Sequence, residues 1–336
     1  MTFSISRRTA IAASLLSIAQ APTWANTGAG TWPAQPVKLI VPFPPGGIDA
    51  AARIVSEGLA KRLGQPIVVE NRPGAAGTVG TRAVAQAKAD GYTLLAGTMS
   101  TLVTGPVMNP AVGYQPVQDF APVGLFARLS YVLAVPVTSP FQSVEQLVEH
   151  LRKNPDSLAY STAGPGTPQD LSAMLFQQLT GTSMRAIPYK GGASAMPDLV
   201  SGVVDLSFDL ESSVAPLVQG GRLRALGVTS PDALQSLPGV KPVREAKVPG
   251  LSGFQVTSWG GLFMPAGAPQ AAVDRLSKAL SEVLAEEGVQ QRLRGAGFAP
   301  LFTTPEQAAQ RVRSEIEHWT AVFTKAGCMK EGRFAC

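Results

Sequence analysis

Four glycine-bearing turns stand where a strand-like run gives way to a helical one: Gly46-Gly47, Gly74 to Gly80, Gly164-Pro165-Gly166 and Gly191-Gly192. A helix N-terminus exposes unpaired N–H groups and carries partial positive charge, and glycine lets a ligand approach that backbone closely. The chemistry on offer is recognition of a small anion. A carboxylate accepts hydrogen bonds at several lone pairs, so two such termini and a few hydroxyls can satisfy one. Ser100, Thr101, Thr162 and Thr167 stand where those hydroxyls are needed. Taken singly, each glycine is better explained by a tight turn or a helix cap. Their recurrence in both halves of the chain is what argues for a site.

Catalytic constellations are poorly supported. The two histidines, His150 and His318, fall in helical stretches with charged neighbours, as surface helices require. Neither "GTMST" nor "GGASA" fits a G-x-S-x-G nucleophile elbow, and no Cys/His spacing suits zinc. Asp205 and Asp209 lie four apart across a strand-to-loop step, which fits no acid/base geometry. "PPGGID" lacks the third glycine of a dinucleotide fingerprint, and no G-K-[ST] exists for a P-loop.

The elements that must position the turns alternate between strand and helix, the pattern of an α/β protein with parallel sheets. "VKLIVPF", "QPIVVEN" and "YTLLAGT" read as strands. Ala51, Ile54, Val55, Leu59 and Leu63 line one face of the helix after the first strand, and Gly64 ends it. The pattern restarts at "YVLAVPV". Ser143 caps "SVEQLVEHLRKN", and "LAYSTAG", "MRAIPYK" and "VDLSFD" are further strands. After an irregular Pro/Gly-rich segment come the strand "WGGLFMP" and two long helices, "PQAAVDRLSKALSEVLAEEGVQQRLRGAG" and "TPEQAAQRVRSEIEHWTAVFTKAG". Those helices have no sheet of their own, so economy places them over the first sheet. The chain then crosses between two lobes twice, near Ala127–Tyr131 and Phe254–Trp259, an arrangement able to close over a small molecule.

The 336 residues are ample for buried cores, and 45% hydrophobic with 15% charged residues is an ordinary globular composition. Net charge is +5, two units of which are Arg7 and Arg8. No basic run interleaved with aromatics points to nucleic acid. "MTFSISRRTAIAASLLSIAQAPTWANTG" reads as an export signal over residues 1–25, with Ala25 as cleavage site. Its paired arginines fit either a Sec or a twin-arginine signal, and both place the mature protein in the periplasm. Cys328 and Cys336 lie in the tail and read as a local structural disulfide of an oxidising compartment.

"VPFPPGGIDAAAR", "LGQPIVVENRPGAAGTVGTRAVAQAKADGYTLL", "PYKGGASAMPDLVSGVVDLSFD" and "GRLRALGVTS" resemble the Bug-type extracytoplasmic receptors of tripartite tricarboxylate transporters, from about Trp32 to Ala326. The resemblance implies a two-lobed type II periplasmic-binding (Venus flytrap) fold of class α/β, with two doubly wound sheets joined by two crossing segments. Expected boundaries are 36–128 plus 257–326 for the first lobe, 129–256 for the second and 327–336 for the tail. It implies a carboxylate ligand in the cleft, no cofactor, no enzymatic activity, transporter membrane subunits as partners and a monomeric receptor. The matching cleft positions are Phe43, Pro45, Gly46, Gly47, Asp49, Thr98, Ser100, Thr101, Thr162, Gly164, Gly166, Thr167 and Asp209.

Two departures from the family pattern stand out. Asp170 replaces a histidine common after the G-x-G-[ST] loop, and Leu210 replaces an asparagine that often follows "FD". Asp170 either faces the cleft, where it would disfavour a second carboxylate, or complements its helix dipole. Asp49 is expected to cap its helix and preorganise the loop. Phe43 and Trp259 belong either to the cleft or to the core. A sensory module sharing this receptor body, and an exported hydrolase, are the rival functions.

Overall fold

A single 17-residue strand runs through the centre of the molecule and serves two different sets of partners. The computed structural model describes residues 32–325, together with Met1 and two short strands at 329–330 and 333–334. The predicted export signal, apart from Met1, and both cysteines lie outside the described residues. In chain order the elements are β1 (Val37–Val41), α1 (Ile48–Leu63), β2 (Ile67–Asn71), α2 (Thr78–Ala85), β3 (Thr93–Thr98), α3 (Gly105–Met108) and β4 (Phe120–Pro136). Next come α4 (Val144–Lys153), β5 (Ala159–Thr162), α5 (Pro168–Thr180), β6 (Arg185–Pro188), α6 (Gly192–Ser201), β7 (Leu206–Leu210), α7 (Glu211–Gln219) and β8 (Leu223–Val228). The chain finishes with β9 (Thr257–Pro265), α8 (Gln270–Ala285), α9 (Glu287–Gly295), β10 (Phe298–Pro300), α10 (Pro305–Lys325), β11 (Met329–Lys330) and β12 (Arg333–Phe334).

The strand order is β2-β1-β3-β9-β4-β7-β5-β6, with β8 and β10 also paired to β4. From Phe120 to Ser130, β4 pairs antiparallel with β9; from Tyr131 it pairs with β7, and from Val132 to Pro136 with β8. The chain is bilobed, and β4 is common to both lobes. The crossing expected near Ala127–Tyr131 is where β4 passes from β9, at Ser130, to β7, at Tyr131. It is the interior of one continuous strand. The sheets are also mixed rather than wholly parallel, because β9 pairs antiparallel with β3 and β4 in the first lobe and β4 pairs antiparallel with β7 and β8 in the second. Sequence periodicity missed the first half of β4, whose Pro122 and Gly124 mask a strand that shifts register there.

The second crossing is laced to the first through Thr229. Its N–H donates to the Tyr131 carbonyl at 2.9 Å, and its Oγ1 accepts from the Tyr131 N–H at 3.1 Å and donates to the Val256 carbonyl at 2.6 Å. Both connections thus share one buried hydroxyl.

Each lobe has its own core. Ile40, Leu95, Leu102, Trp259 and Phe263 pack with Ala308, Val312, Trp319 and Phe323 of α10, so the closing helix does cover the first sheet. Phe176, Phe208 and Phe254 form an aromatic triangle in the second lobe, with centroids 5.6 to 6.2 Å apart. Ser143 caps α4 as expected, accepting from the Gln146 N–H at 3.3 Å. The first of the two long helices is broken: Glu286 is extended (φ −70°, ψ 120°) and separates α8 from α9. No helix among the described residues is long and apolar enough to cross a membrane.

Candidate functional site

A cavity of about 250 Å³ opens between the lobes, small enough to select a small solute. Its first-lobe wall is the β1–α1 turn from Phe43 to Ile48 with Thr98 at the end of β3 and Ser100 just beyond it. Its second-lobe wall comprises Ala163, Thr167, Pro168 and Gln169 at the head of α5, Lys190 to Ser194 at the head of α6, Leu210 at the end of β7 and Ser213 in α7. Leu129, Tyr131 and Ser258 close the floor where β4 and β9 cross between lobes.

Three helix N-termini meet here, and their free donors can be counted. In α1 the N–H groups of Asp49 and Ala50 turn back on the Gly46 and Gly47 carbonyls, leaving those of Gly47 and Ile48 without an intrahelical acceptor. Gly46 and Gly47 adopt φ of 98° and 52°, a conformation that favours glycine. In α5 Pro168 has no N–H, and Thr167 donates to the Gly164 carbonyl, so the Gln169 N–H is the first one free. In α6 the Ser194 N–H is spent on Gly191. A β-carbon at Gly192 would overlap both carboxyl oxygens of Asp209, so an internal acid already lies under that terminus.

Of the positions expected from sequence, Phe43, Pro45, Gly46, Gly47, Thr98, Ser100 and Thr167 line the cavity. Asp49, Thr101, Thr162, Gly164, Gly166 and Asp209 do not; they stand behind it and shape it. Thr101 Oγ1 accepts from the Thr98 N–H at 3.0 Å, which folds the turn that presents Thr98 and Ser100, whose hydroxyls are 2.9 Å apart. That turn is π-helical from Ser100 to Thr104, a geometry frequent at functional sites. Thr162 accepts from the Gly164 N–H at 3.2 Å, and Thr167 Oγ1 donates to the Gly164 carbonyl at 2.7 Å.

Asp49 is not the cap of α1. Gly47 occupies the cap position without a side-chain bond, and Asp49, two residues on, is turned inward. It pairs with Arg53 Nε at 3.0 Å and accepts from Asn71 Nδ2 at 2.9 Å; the same Nδ2 donates to the Phe43 carbonyl at 3.0 Å. Asn71 therefore ties the cavity loop to Asp49. Sequence reading passed it over, although it sits inside the quoted "ENRPGAAG" motif. Asp170 is buried away from the cavity, with Oδ1 accepting from the Tyr160 hydroxyl at 3.2 Å and Oδ2 from the Gly166 N–H at 3.1 Å. Its burial raises its pKa, against those two hydrogen bonds. Trp259 is core: 2% exposed, it donates from Nε1 to Glu315 at 2.8 Å.

Lys190 is the one charged side chain on the described lining, and it is exposed at the mouth. Burial raises the Tyr131 hydroxyl far above the ordinary tyrosine range; a hydrogen bond to Ser258 opposes this and the charge of Asp209 adds to it. Burial also pushes Asp209 up to about 7, against hydrogen bonds from the Leu210 N–H and the Gln169 side chain. Neither histidine lines the cavity, and no cluster of three or more His, Cys, Asp or Glu among the described residues could hold a metal. The arrangement offers neutral donors, apolar walls and one peripheral cation. It is suited to holding a small anion.

Comparison with known proteins agrees with this geometry. A protein encoded in the tcbD–tcbE intergenic region of Pseudomonas sp. strain P51 is 38% identical over 315 residues, 93% of each chain. R. palustris Rpa4515, solved with adipate, is 34% identical with a TM-score of 0.84, covering 88% of this chain and 98% of that one. MatC from Rhodopseudomonas palustris, solved with malate, is 32% identical with a TM-score of 0.80, covering 86% and 99%. The model of the tripartite tricarboxylate transporter family receptor matches residues 51–328, and the chain therefore belongs to that receptor family.

Proposed function

We propose that this protein captures a small carboxylate between its lobes in the periplasm and presents the closed complex to the membrane subunits of a tripartite tricarboxylate-type transporter, as a monomer without cofactor. The observation that carries the ligand class is the pairing across one cavity of free N–H groups at α1 and α5, with hydroxyls at Thr98, Ser100 and Thr167 beside them. The adipate and malate seen in two relatives are acids of the same class. Micromolar affinity needs about 8 kcal/mol. Charge-assisted hydrogen bonds contribute about 1.5–3 kcal/mol each, so several in a closed, dehydrated cleft suffice after association costs. Lobe boundaries at 128/129 and 256/257 belong to this reading.

The chain's membership of a receptor family sets the hydrolase alternative aside. Calorimetry and thermal-shift screening against mono-, di- and aromatic carboxylates test the ligand class. A panel without one stabilising acid defeats it. Deleting a neighbouring permease while following uptake tests the transport role.

A further inference from the structure

Asp209 is 1% exposed and does not line the cavity, yet it touches the wall at several points. It accepts from the Leu210 N–H at 2.6 Å and from the Gln169 side chain, and it lies directly beneath Gly192. An ionised carboxylate only accepts, so the Gln169 amide turns its nitrogen toward Asp209 when that group is charged. Leu210, Gln169 and Gly192 are all wall residues. Among the described residues no Lys or Arg forms an ion pair with Asp209, so its charge is not cancelled locally.

We propose that Asp209 is the specificity-determining residue of the cavity: acting through Gln169 and the Gly192 backbone, its uncompensated buried carboxylate admits acids with one carboxylate and a neutral body, and excludes a second carboxylate from the second-lobe wall. This deepens the receptor reading and rests on it. The first carboxylate sits at the free N–H groups of α1, on the first-lobe wall opposite Asp209. The rest of the ligand meets Ile48, Leu129 and Leu210, none of which can pair with charge. A like charge one layer behind the wall is weakly screened there, and rejecting a ligand by an unpaired charge is a common route to selectivity.

Asp209 is a positioning residue, so its signature is a pH dependence of selectivity rather than of binding as such. Its proton is exchanged near pH 7, which removes the repelling charge on the acid side. The titratable and charged groups on the elements packed around it are Arg128 and Tyr131 on β4, Tyr160 on β5, Asp170 on α5, Lys190 and Asp198 at α6, and Glu211 on α7. Asp170 and Glu211 are also raised by burial and protonate in the same direction.

The test uses pairs that differ only in the second carboxylate: hexanoate with adipate, and benzoate with terephthalate. Dissociation constants are measured by calorimetry from about pH 6.5 to 8.5, where the ligands themselves are essentially ionised. The expected result is a preference for the monoacid of about tenfold at the alkaline end, narrowing at the acid end. Asp209→Asn keeps an acceptor for the Leu210 N–H and should make the ratio small and independent of pH. A diacid preference across the range, or a wild-type ratio that ignores pH, overturns the proposal while leaving the carboxylate reading intact. Binding by no member of either pair or of the wider panel removes both. The wild-type ratio needs no variant, so a poorly folding Asp209→Asn leaves the proposal exposed to refutation.

Discussion

Thr104, on the first-lobe turn that follows β3, donates its hydroxyl to the carbonyl of Gly166 in the second lobe at 2.5 Å. Beside it, a β-carbon at Gly166 would lie 2.6 Å from Met108 Sδ, and one at Gly191 would lie 3.4 Å from Pro44. The rims of the two lobes thus approach glycine to side chain, and a buried hydroxyl fastens them.

Removing that fastening should weaken ligand capture without unfolding either lobe. Thr104→Val is isosteric and loses one hydrogen bond, worth about 1 kcal/mol net. Affinity for the best acid of the panel is expected to fall about fivefold in calorimetry. The melting temperature of the unliganded protein should change little. Unaltered affinity would show that this contact plays no part in closure.

The β1–α1 turn gives a sharper outcome. Gly47 has φ of +52°, and a β-carbon there would lie 3.2 Å from Leu210 Cδ1 across the cleft. Gly47→Val combines left-handed strain of about 1–2 kcal/mol with a branched side chain standing over the free N–H groups of α1. Binding is expected to be lost while the far-ultraviolet circular dichroism spectrum is retained. A dissociation constant within threefold of the parent would remove α1 from the site.

Trp259 separates a core role from a cleft role. Its Nε1 bond to Glu315 joins β9 to α10, and Arg311 pairs with the same carboxylate. Trp259→Phe leaves Glu315 short of a donor and should cost about 1–3 kcal/mol in urea unfolding. Ligand affinity should stay within twofold, since the indole does not reach the cavity.

Stability should depend on pH in an unusual sense. Asp209 is protonated in the fold up to about pH 7, whereas in the unfolded chain it ionises near 4. Between those values the unfolded state has released a proton that the folded state keeps. Stability therefore declines as pH rises from about 4 to 7 and levels off above. Asp170 and Glu211, also raised by burial, add to the same trend. Thermal melts of the unliganded protein are expected to be higher at about pH 5.5 than at 8. Asp209→Asn should flatten that difference and raise the melting temperature at pH 8 by several degrees. A flat wild-type profile would contradict the burial of an unpaired acid here.

Local order was readable wherever one residue type has one local consequence. Ser143 had to cap α4, because its hydroxyl satisfies an N–H three residues on whatever the rest of the chain does. The glycines at 46, 47, 164 and 166 marked backbone of positive φ for the same local reason. Failures came where local signals conflict. Pro122 and Gly124 hid the first half of β4, whose pairing with β9 joins residues more than a hundred positions apart. The continuous periodicity of α8 and α9 concealed the break at Glu286.

The amino-acid order by itself determined the alternation of strand and helix, the glycine-headed helix starts and the family resemblance, because short-range sterics and apolar periodicity act within a few residues. Tertiary structure alone decided which of those helix starts open on the cavity. It turned Asp49 and Asp170 inward to hold loops, sent Trp259 to the core, and set Asp209 beneath Gly192. Whether a carboxylate meets a ligand, a neighbouring amide or a buried wall depends on strands brought together from distant parts of the chain. That information resides in packing and desolvation.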